Sequence, residues 1–216
     1  MKVVLGQINP TVGDILGNYK KIVTNISKFN NKADLIIFPE LSISGYPLED
    51  LVLKDSFLKE ISCILSKLET YCLRKNIAVI LGAPITDNNS IYNAGIFLHK
   101  KKKTIIYKNK LPNYGVFDEK RIFSNGEQVS IIEFNGIKLG LFICEDIWVN
   151  DTIVEIDKNE IDLAVSLNAS PFDINKIEER EKKALGFANS IDAPLIYVNQ
   201  VGGQDEIVFD GSSFLC

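Results

Sequence analysis

The run Lys138-Leu-Gly-Leu-Phe-Ile143 closes on Cys144 and passes directly into Glu145-Asp-Ile-Trp148. A short apolar run after an Asn135-Gly136 turn reads as a buried strand. A cysteine at its carboxyl end can point its sulfur into a pocket. In open α/β sheets, ligands and chemistry gather at the carboxyl ends of strands. The pattern occurs twice more: Asp34-Leu-Ile-Ile-Phe-Pro39 leads to Glu40, and Thr104-Ile-Ile-Tyr107 leads to Lys108. A thiol, a carboxylate and an amine, each at a strand end, point to one site for nucleophilic catalysis.

Outward from this stretch, short Val- and Ile-rich runs alternate with amphipathic segments. Strands are expected at Val3–Ile8, Leu35–Phe38, Ala78–Leu81, Leu163–Leu167, Leu195–Val198 and Glu206–Phe209. Hairpins are expected for Tyr92–His99 with Lys103–Tyr107, and for Val129–Phe134 with Ile137–Ile143. Asn18–Asn30 puts Tyr19, Ile22, Val23, Ile26 and Phe29 on one helical face, with Asn18 as N-cap. Ser56–Asn76 reads as a long helix with Phe57, Ile61, Ile64, Leu65, Leu68 and Tyr71 or Cys72 inward, and Ile177–Asn189 as a charged amphipathic helix. Cys63 and Cys72 are expected to pack like small hydrophobes, and Gly202-Gly203 to form a turn. Helices between strands imply parallel neighbours and the hairpins imply antiparallel ones, so the class is α/β with mixed sheets. The chain stops at Phe214-Leu-Cys216 within an expected strand, which reads as a truncation.

The 216 residues fit one domain. Net charge is −4 and the one basic cluster is Lys100 to Lys103, so no nucleic-acid partner is expected. That cluster reads as a solvated hairpin tip. No run reaches the length of a membrane span, and the amino terminus lacks the features of a signal peptide. The four cysteines, Cys63, Cys72, Cys144 and Cys216, show no CxxC spacing, and with one histidine no metal site is expected. A reduced, cytoplasmic protein is the simplest reading.

The single histidine, His99, lies beside the lysine run and reads as a surface residue. A base for Cys144 must then be a carboxylate or a lysine. The thiolate is the nucleophilic form of cysteine. Glu145 and Asp146 would raise the thiol pKa if they faced it, whereas an ammonium such as that of Lys108 would lower it. Glu40 could take the proton, and the Lys108 ammonium with the Glu145 backbone N–H could receive the oxyanion of an attacked amide.

Three segments together resemble the nitrilase, or carbon–nitrogen hydrolase, superfamily: Phe38-Pro-Glu-Leu41 with Ser44-Gly-Tyr-Pro47, the run from Tyr107 to Phe123, and Ile143-Cys-Glu-Asp-Ile-Trp148. The resemblance implies a four-layer αββα sandwich of two mixed β-sheets and a Glu–Lys–Cys triad at Glu40, Lys108 and Cys144. Lys108 is preferred to Lys110 because the family lysine stands three residues before the leucine, here Leu111. Leu111-Pro-Asn-Tyr-Gly-Val-Phe-Asp-Glu119, Asn168-Ala-Ser-Pro-Phe172 and Asn199-Gln-Val-Gly-Gly-Gln-Asp-Glu206 resemble the glutaminase domains of glutamine-dependent NAD synthetases. That likeness implies Glu119 as an auxiliary carboxylate holding Lys108, and Tyr114, Glu145, Trp148, Ser170 and Lys176 as contacts to glutamine. Glu145 and Lys176 would meet its α-ammonium and α-carboxylate. It implies no cofactor in residues 1–216, and ATP and Mg for an absent synthetase domain that receives ammonia from this domain. It also implies a homodimer or larger assembly. The alternatives are a stand-alone amidase acting on another small amide or carbamoyl compound, and a non-catalytic scaffold.

Overall fold

Leu35, Ile36 and Ile37 are all fully buried, yet they enter two different cores. Successive residues of a strand point to opposite faces, so a wholly apolar strand must be covered on both sides. The computed structural model describes residues 1–127, 130–149 and 160–216 and supplies that cover.

One sheet has the order β1-β2-β3-β4-β5. Its strands are β1 (Val3–Leu5), β2 (Leu35–Ile37), β3 (Ala78–Asp87), β4 (Ser90–His99) and β5 (Lys102–Tyr107). The first three are parallel, and β4 and β5 add antiparallel. The other sheet is built from β6 (Ser130–Phe134), β7 (Ile137–Ile143), β8 (Leu163–Asn168), β9 (Leu195–Asn199) and β12 (Phe214–Leu215), in the order β12-β9-β8-β7-β6. Here β7, β8 and β9 are parallel and both edge strands are antiparallel. A separate hairpin joins β10 (Val201–Gln204) to β11 (Ile207–Asp210).

Leu35, Ile37, Ile80 and Phe97 of the first sheet pack on Leu139, Leu141, Val165, Leu167, Ile196 and Val198 of the second. Helices α1 (Ile15–Phe29) and α2 (Asp55–Cys72) cover the outside of the first sheet, where Ile22, Ile26, Ile61, Leu65 and Leu68 share a core with Ile36, Val79 and Ile96. Helix α3 (Lys176–Ile191) covers the second through Ala184, Phe187, Ala188 and Ile191 against Phe142, Ala164, Leu195 and Tyr197. This is the expected αββα sandwich. No helix among the described residues is long and apolar enough to cross a membrane.

Several local expectations are corrected. Asn18 is not the N-cap of α1. Asp14 is, accepting the Gly17 N–H at 2.9 Å. Asn18 lies inside the helix, fully buried, where it accepts from Thr11 N at 2.8 Å and donates to the carbonyls of Thr11 and Ile43 at 2.7 and 3.2 Å. The apolar face starts a turn earlier, with Ile15. Cys72 is buried but Cys63 is exposed, because two residues beyond Ile61 the helix has rotated it off the apolar stripe. Strand β3 does not stop at Gly82-Ala-Pro84. Pro84 pairs with Asn93 beyond the end of β2, where its missing N–H faces no strand. Gly202 and Gly203 belong to strand β10 and not to a turn. The start expected for β6 at Val129 lies outside the described residues.

Candidate active site

At the end of β7 the chain turns sharply. Cys144 has φ +45°, in the left-handed region that residues with a Cβ seldom enter, and opens a short 3₁₀ turn, Cys144–Ile147. Asp146 fixes this turn. One carboxylate oxygen accepts the N–H of Ile143 at 2.9 Å, and the other accepts the N–H groups of Asn109 and Lys110 at 3.0 and 2.8 Å. A single buried side chain therefore ties the cysteine corner to the segment that follows Lys108. Burial pushes its carboxyl up to about 6, against the pull of those three N–H groups.

Strands β2 and β5 run in the same direction, so Glu40 and Lys108 emerge at one end of their sheet. The Lys108 ammonium donates to Glu40 Oε1 at 2.6 Å and to Glu119 Oε1 at 2.8 Å. Lys108 and Glu40 are each 1% exposed and Glu119 is 3% exposed. Asn93 Nδ2 donates to Glu40 Oε1 at 2.7 Å, and Tyr46 Oη donates to Glu119 Oε1 at 2.9 Å. Across the sandwich, the N–H of Ala169, just past β8, donates to Glu40 Oε2 at 2.9 Å. Gly82 lets the Glu40 segment lie close to β3, since a Cβ there would stand 2.2 Å from the Leu41 backbone nitrogen.

The charges are unevenly matched. One ammonium lies between two buried carboxylates. Burial alone would lower the Lys108 pKa, but Glu119 and Glu40 together hold it well above the ordinary value. Glu119 is raised to about 7, chiefly by burial, against the pull of Lys108 and with a further push from Glu40. Lys108 moves up because two carboxylates face one ammonium, and Glu119 moves up mainly because it is buried. The Cys144 thiol is pushed well above its usual range, first by burial and then by Glu40, and Lys108 offsets only part of this. The Lys108 ammonium pulls the thiol down as expected, but burial and Glu40 outweigh it and favour the neutral form.

His99 lies at the far end of β4 from Asn93, six residues or about 20 Å along the strand, with its ring against Phe134 at 5.0 Å. It takes no part in this cluster and is half-buried, not fully exposed. The structure thus places Glu40, Lys108, Glu119 and Cys144 in one site.

The whole chain from residue 2 to residue 216 matches the carbon–nitrogen hydrolase family. The chain belongs to that family. The glutamine-dependent NAD(+) synthetase of Acinetobacter baylyi is 39% identical over 218 residues, and that of Aquifex aeolicus is 41% identical over 217. These matches cover 99% and 100% of this chain but only 40% and 38% of the relatives, so the chain spans about two fifths of their length. The solved glutamine-dependent NAD+ synthetase of Acinetobacter baumannii, in complex with ADP, superposes with a TM-score of 0.93 at 37% identity, over 99% of this chain and 41% of that one. An amidase from Nesterenkonia sp. gives 0.85 at 21% identity over 81% of its length, a likeness of fold alone.

In this carbon–nitrogen hydrolase the side chains expected to meet substrate fall into three groups. Tyr114, 56% exposed, donates its hydroxyl to Glu145 Oε2 at 2.9 Å. Lys176 lies over the Trp148 ring at 4.4 Å and pairs with Glu179 at 3.0 Å, and its charge reaches Glu145. Ser170 is buried just past β8, with its backbone N–H on Asn199 Oδ1 at 2.9 Å. Sequence reasoning did not single out Asn93, Tyr46, Arg180 or the N–H of Ala169, and it weighed Asp146 only as a charge beside the thiol, whereas its carboxylate is spent on three backbone N–H groups. For Asn93 a signal existed: it is a lone amide at the head of the apolar run Ala94-Gly-Ile-Phe-Leu98.

Proposed function

We propose that this chain hydrolyses the side-chain amide of glutamine through a Cys144 thioester. The observation that carries the reading is a lysine ammonium held by two buried carboxylates beside a thiol on a left-handed corner. The relatives at 39% and 41% identity, which are glutamine-dependent NAD synthetases, supply the substrate. In the full-length protein the ammonia would pass to a synthetase domain that uses ATP and Mg to amidate deamido-NAD.

Each step follows from the donors around Glu40. Its Oε1 already takes two N–H groups and its Oε2 only one, so the free lone pair is on Oε2. The Cys144 sulfur attacks the amide carbon as the thiol proton passes to that oxygen, and the carbonyl π pair moves to oxygen. The Lys108 ammonium and the N–H of Glu145 receive the oxyanion. Collapse breaks the C–N bond, Glu40 returns the proton to the departing nitrogen, and ammonia leaves. Water then gives a proton to Glu40 and attacks the thioester. As the second tetrahedral adduct breaks its C–S bond, the sulfur recovers a proton and glutamate departs. With the thiol favoured over the thiolate, proton transfer to Glu40 and attack are coupled.

The test is ammonia release from glutamine by the wild-type chain and by Cys144→Ala, with mass spectrometry after exposure to a diazo-ketone analogue of glutamine. An adduct on Cys144, and loss of turnover in a folded Cys144→Ala, are expected. Turnover by Cys144→Ala, or an adduct elsewhere, would overturn the reading. Hydrolysis of simple aliphatic amides in preference to glutamine would reassign the substrate.

A further inference from the structure

Among the described residues, the bulkiest fully buried side chain is that of Arg180, which is 1% exposed. The reaction above does not use it. Burying a guanidinium is costly, and an apolar side chain of similar volume would fill the space without that cost. Its contacts show what it holds. Nε donates to Ser170 Oγ at 3.0 Å, and Nη2 donates to the carbonyls of Ser170 and Pro171 at 3.0 and 2.6 Å. Nη1 donates to the Asp210 carboxylate at 2.8 Å, and Asp210 lies at the end of β11. Arg180 thus fastens the loop after β8 to α3 and to the β10–β11 hairpin. Ala169, which donates to Glu40, immediately precedes this loop segment.

The hydrogen-bond polarity is informative. An arginine can only donate. Ser170 Oγ must therefore accept from it, which fills one of two lone pairs. The Ser170 hydroxyl proton is therefore not used toward Arg180. On α3, Lys176 precedes Arg180 by four residues, a spacing that puts both on one face of the helix. Glu145, with the Tyr114 hydroxyl on its Oε2, is the acceptor of the site.

We propose that Arg180 is a positioning residue that holds Ser170 with its hydroxyl proton toward the substrate. Ser170 and Lys176 then form a donor-only wall for the anionic end of an amino-acid amide, opposite the Glu145 acceptor. The proposal rests on the glutamine reading and adds the group that sets the polarity of its binding wall.

The test is steady-state ammonia release from glutamine by wild type, Arg180→Lys, Ser170→Ala and the double variant, alongside the rate of Cys144 alkylation by iodoacetamide. Arg180→Lys keeps the charge but cannot serve Ser170 Oγ and both carbonyls at once. KM is expected to rise about tenfold or more, the scale of one charge-assisted hydrogen bond, with kcat within about threefold and the alkylation rate unchanged. Ser170→Ala is expected to add little to KM in the Arg180→Lys background, because the two act as a unit. An unchanged KM in Arg180→Lys, additive effects in the double variant, or an equal fall in kcat and in alkylation would overturn the proposal. If Arg180→Lys does not fold, Asp210→Asn, which removes the charge that anchors Arg180, is read by the same KM-to-kcat split. Wild-type protein that releases no ammonia from glutamine removes the underlying reading, whereas turnover without this dependence on Arg180 removes the proposal alone.

Discussion

Replacing Lys108 with methionine tests the charge cluster most directly. Methionine keeps an unbranched chain of similar length and removes only the cation. It leaves Glu40 and Glu119, 1% and 3% exposed, facing one another without their shared donor at 2.6 and 2.8 Å. Breaking a buried ion pair by deleting one partner costs about 3–5 kcal/mol. One ammonium serves two carboxylates here, so the upper end, about 5 kcal/mol, is expected at pH 8. That is a large part of the roughly 5–15 kcal/mol that holds a typical domain together. The loss should shrink in acid. Glu119 titrates at about 7 even with the cation in place. Without it the Glu119 carboxyl moves further up, while in the unfolded chain it titrates near the ordinary value of about 4.3. Between those values the folded form binds the extra proton, so stability rises as pH falls, by about 1.4 kcal/mol per pH unit for each proton. Urea unfolding of Lys108→Met and wild type at pH 5, 6, 7 and 8 measures this, with ammonia release expected to be absent throughout. A variant within about 1 kcal/mol of wild type at pH 8, or a deficit that acid does not reduce, would refute the reasoning.

Glu119→Gln removes the group that titrates near 7. Wild-type stability should therefore gain from Glu119 as pH falls from 7 toward 4.5, and this part of the slope should vanish in the variant; unfolding midpoints across that range check it. Asp146→Asn cannot accept all three backbone N–H groups. A stability loss of about 1.5–3 kcal/mol is expected, seen as a melting temperature lower by roughly 5–10 °C, together with slower ammonia release. Gly82→Ala would drive a methyl group to 2.2 Å from the Leu41 nitrogen, a backbone contact that no rotamer relieves. It should cost about 1–3 kcal/mol or more and slow Cys144 alkylation by displacing Glu40, and an unaltered melt with unaltered alkylation would count against the proposed fit.

Much of the sandwich was legible because its central strands are covered on both faces. Leu35-Ile-Ile37 and Leu139-Gly-Leu-Phe-Ile143 are continuous apolar runs, and only a sheet between two layers buries every residue of such a run. The grouping of Glu40, Lys108 and Cys144 was legible for a related reason: charged and thiol side chains at the ends of those runs have little to do in a core. The errors arose where local chemistry was ambiguous. Gly13-Asp14 and Asn18 are both acceptable helix starts, and the choice of Asp14 was settled by a loop that buries Asn18. Gly82, Pro84 and the Gly202-Gly203 pair resemble breaks in sequence, but each sits where a partner strand is absent or backbone comes close. Arg180 gave no signal at all, because it is one charge among many in Glu178-Glu-Arg-Glu-Lys-Lys183, and only the packing of α3 distinguishes the buried one.

Glu40, Asn93 and Lys108 are carried by one slab of the sandwich, and Cys144 with the N–H of Ala169 by the other. Among the described residues, an apolar filling packs the two slabs against each other. By the proposed mechanism, turnover is therefore a gauge of lamination. A chain with every hairpin and crossover formed but its slabs unclosed would own all the reagents and have no reaction centre, so the chemistry certifies the last stage of assembly and not the earlier ones.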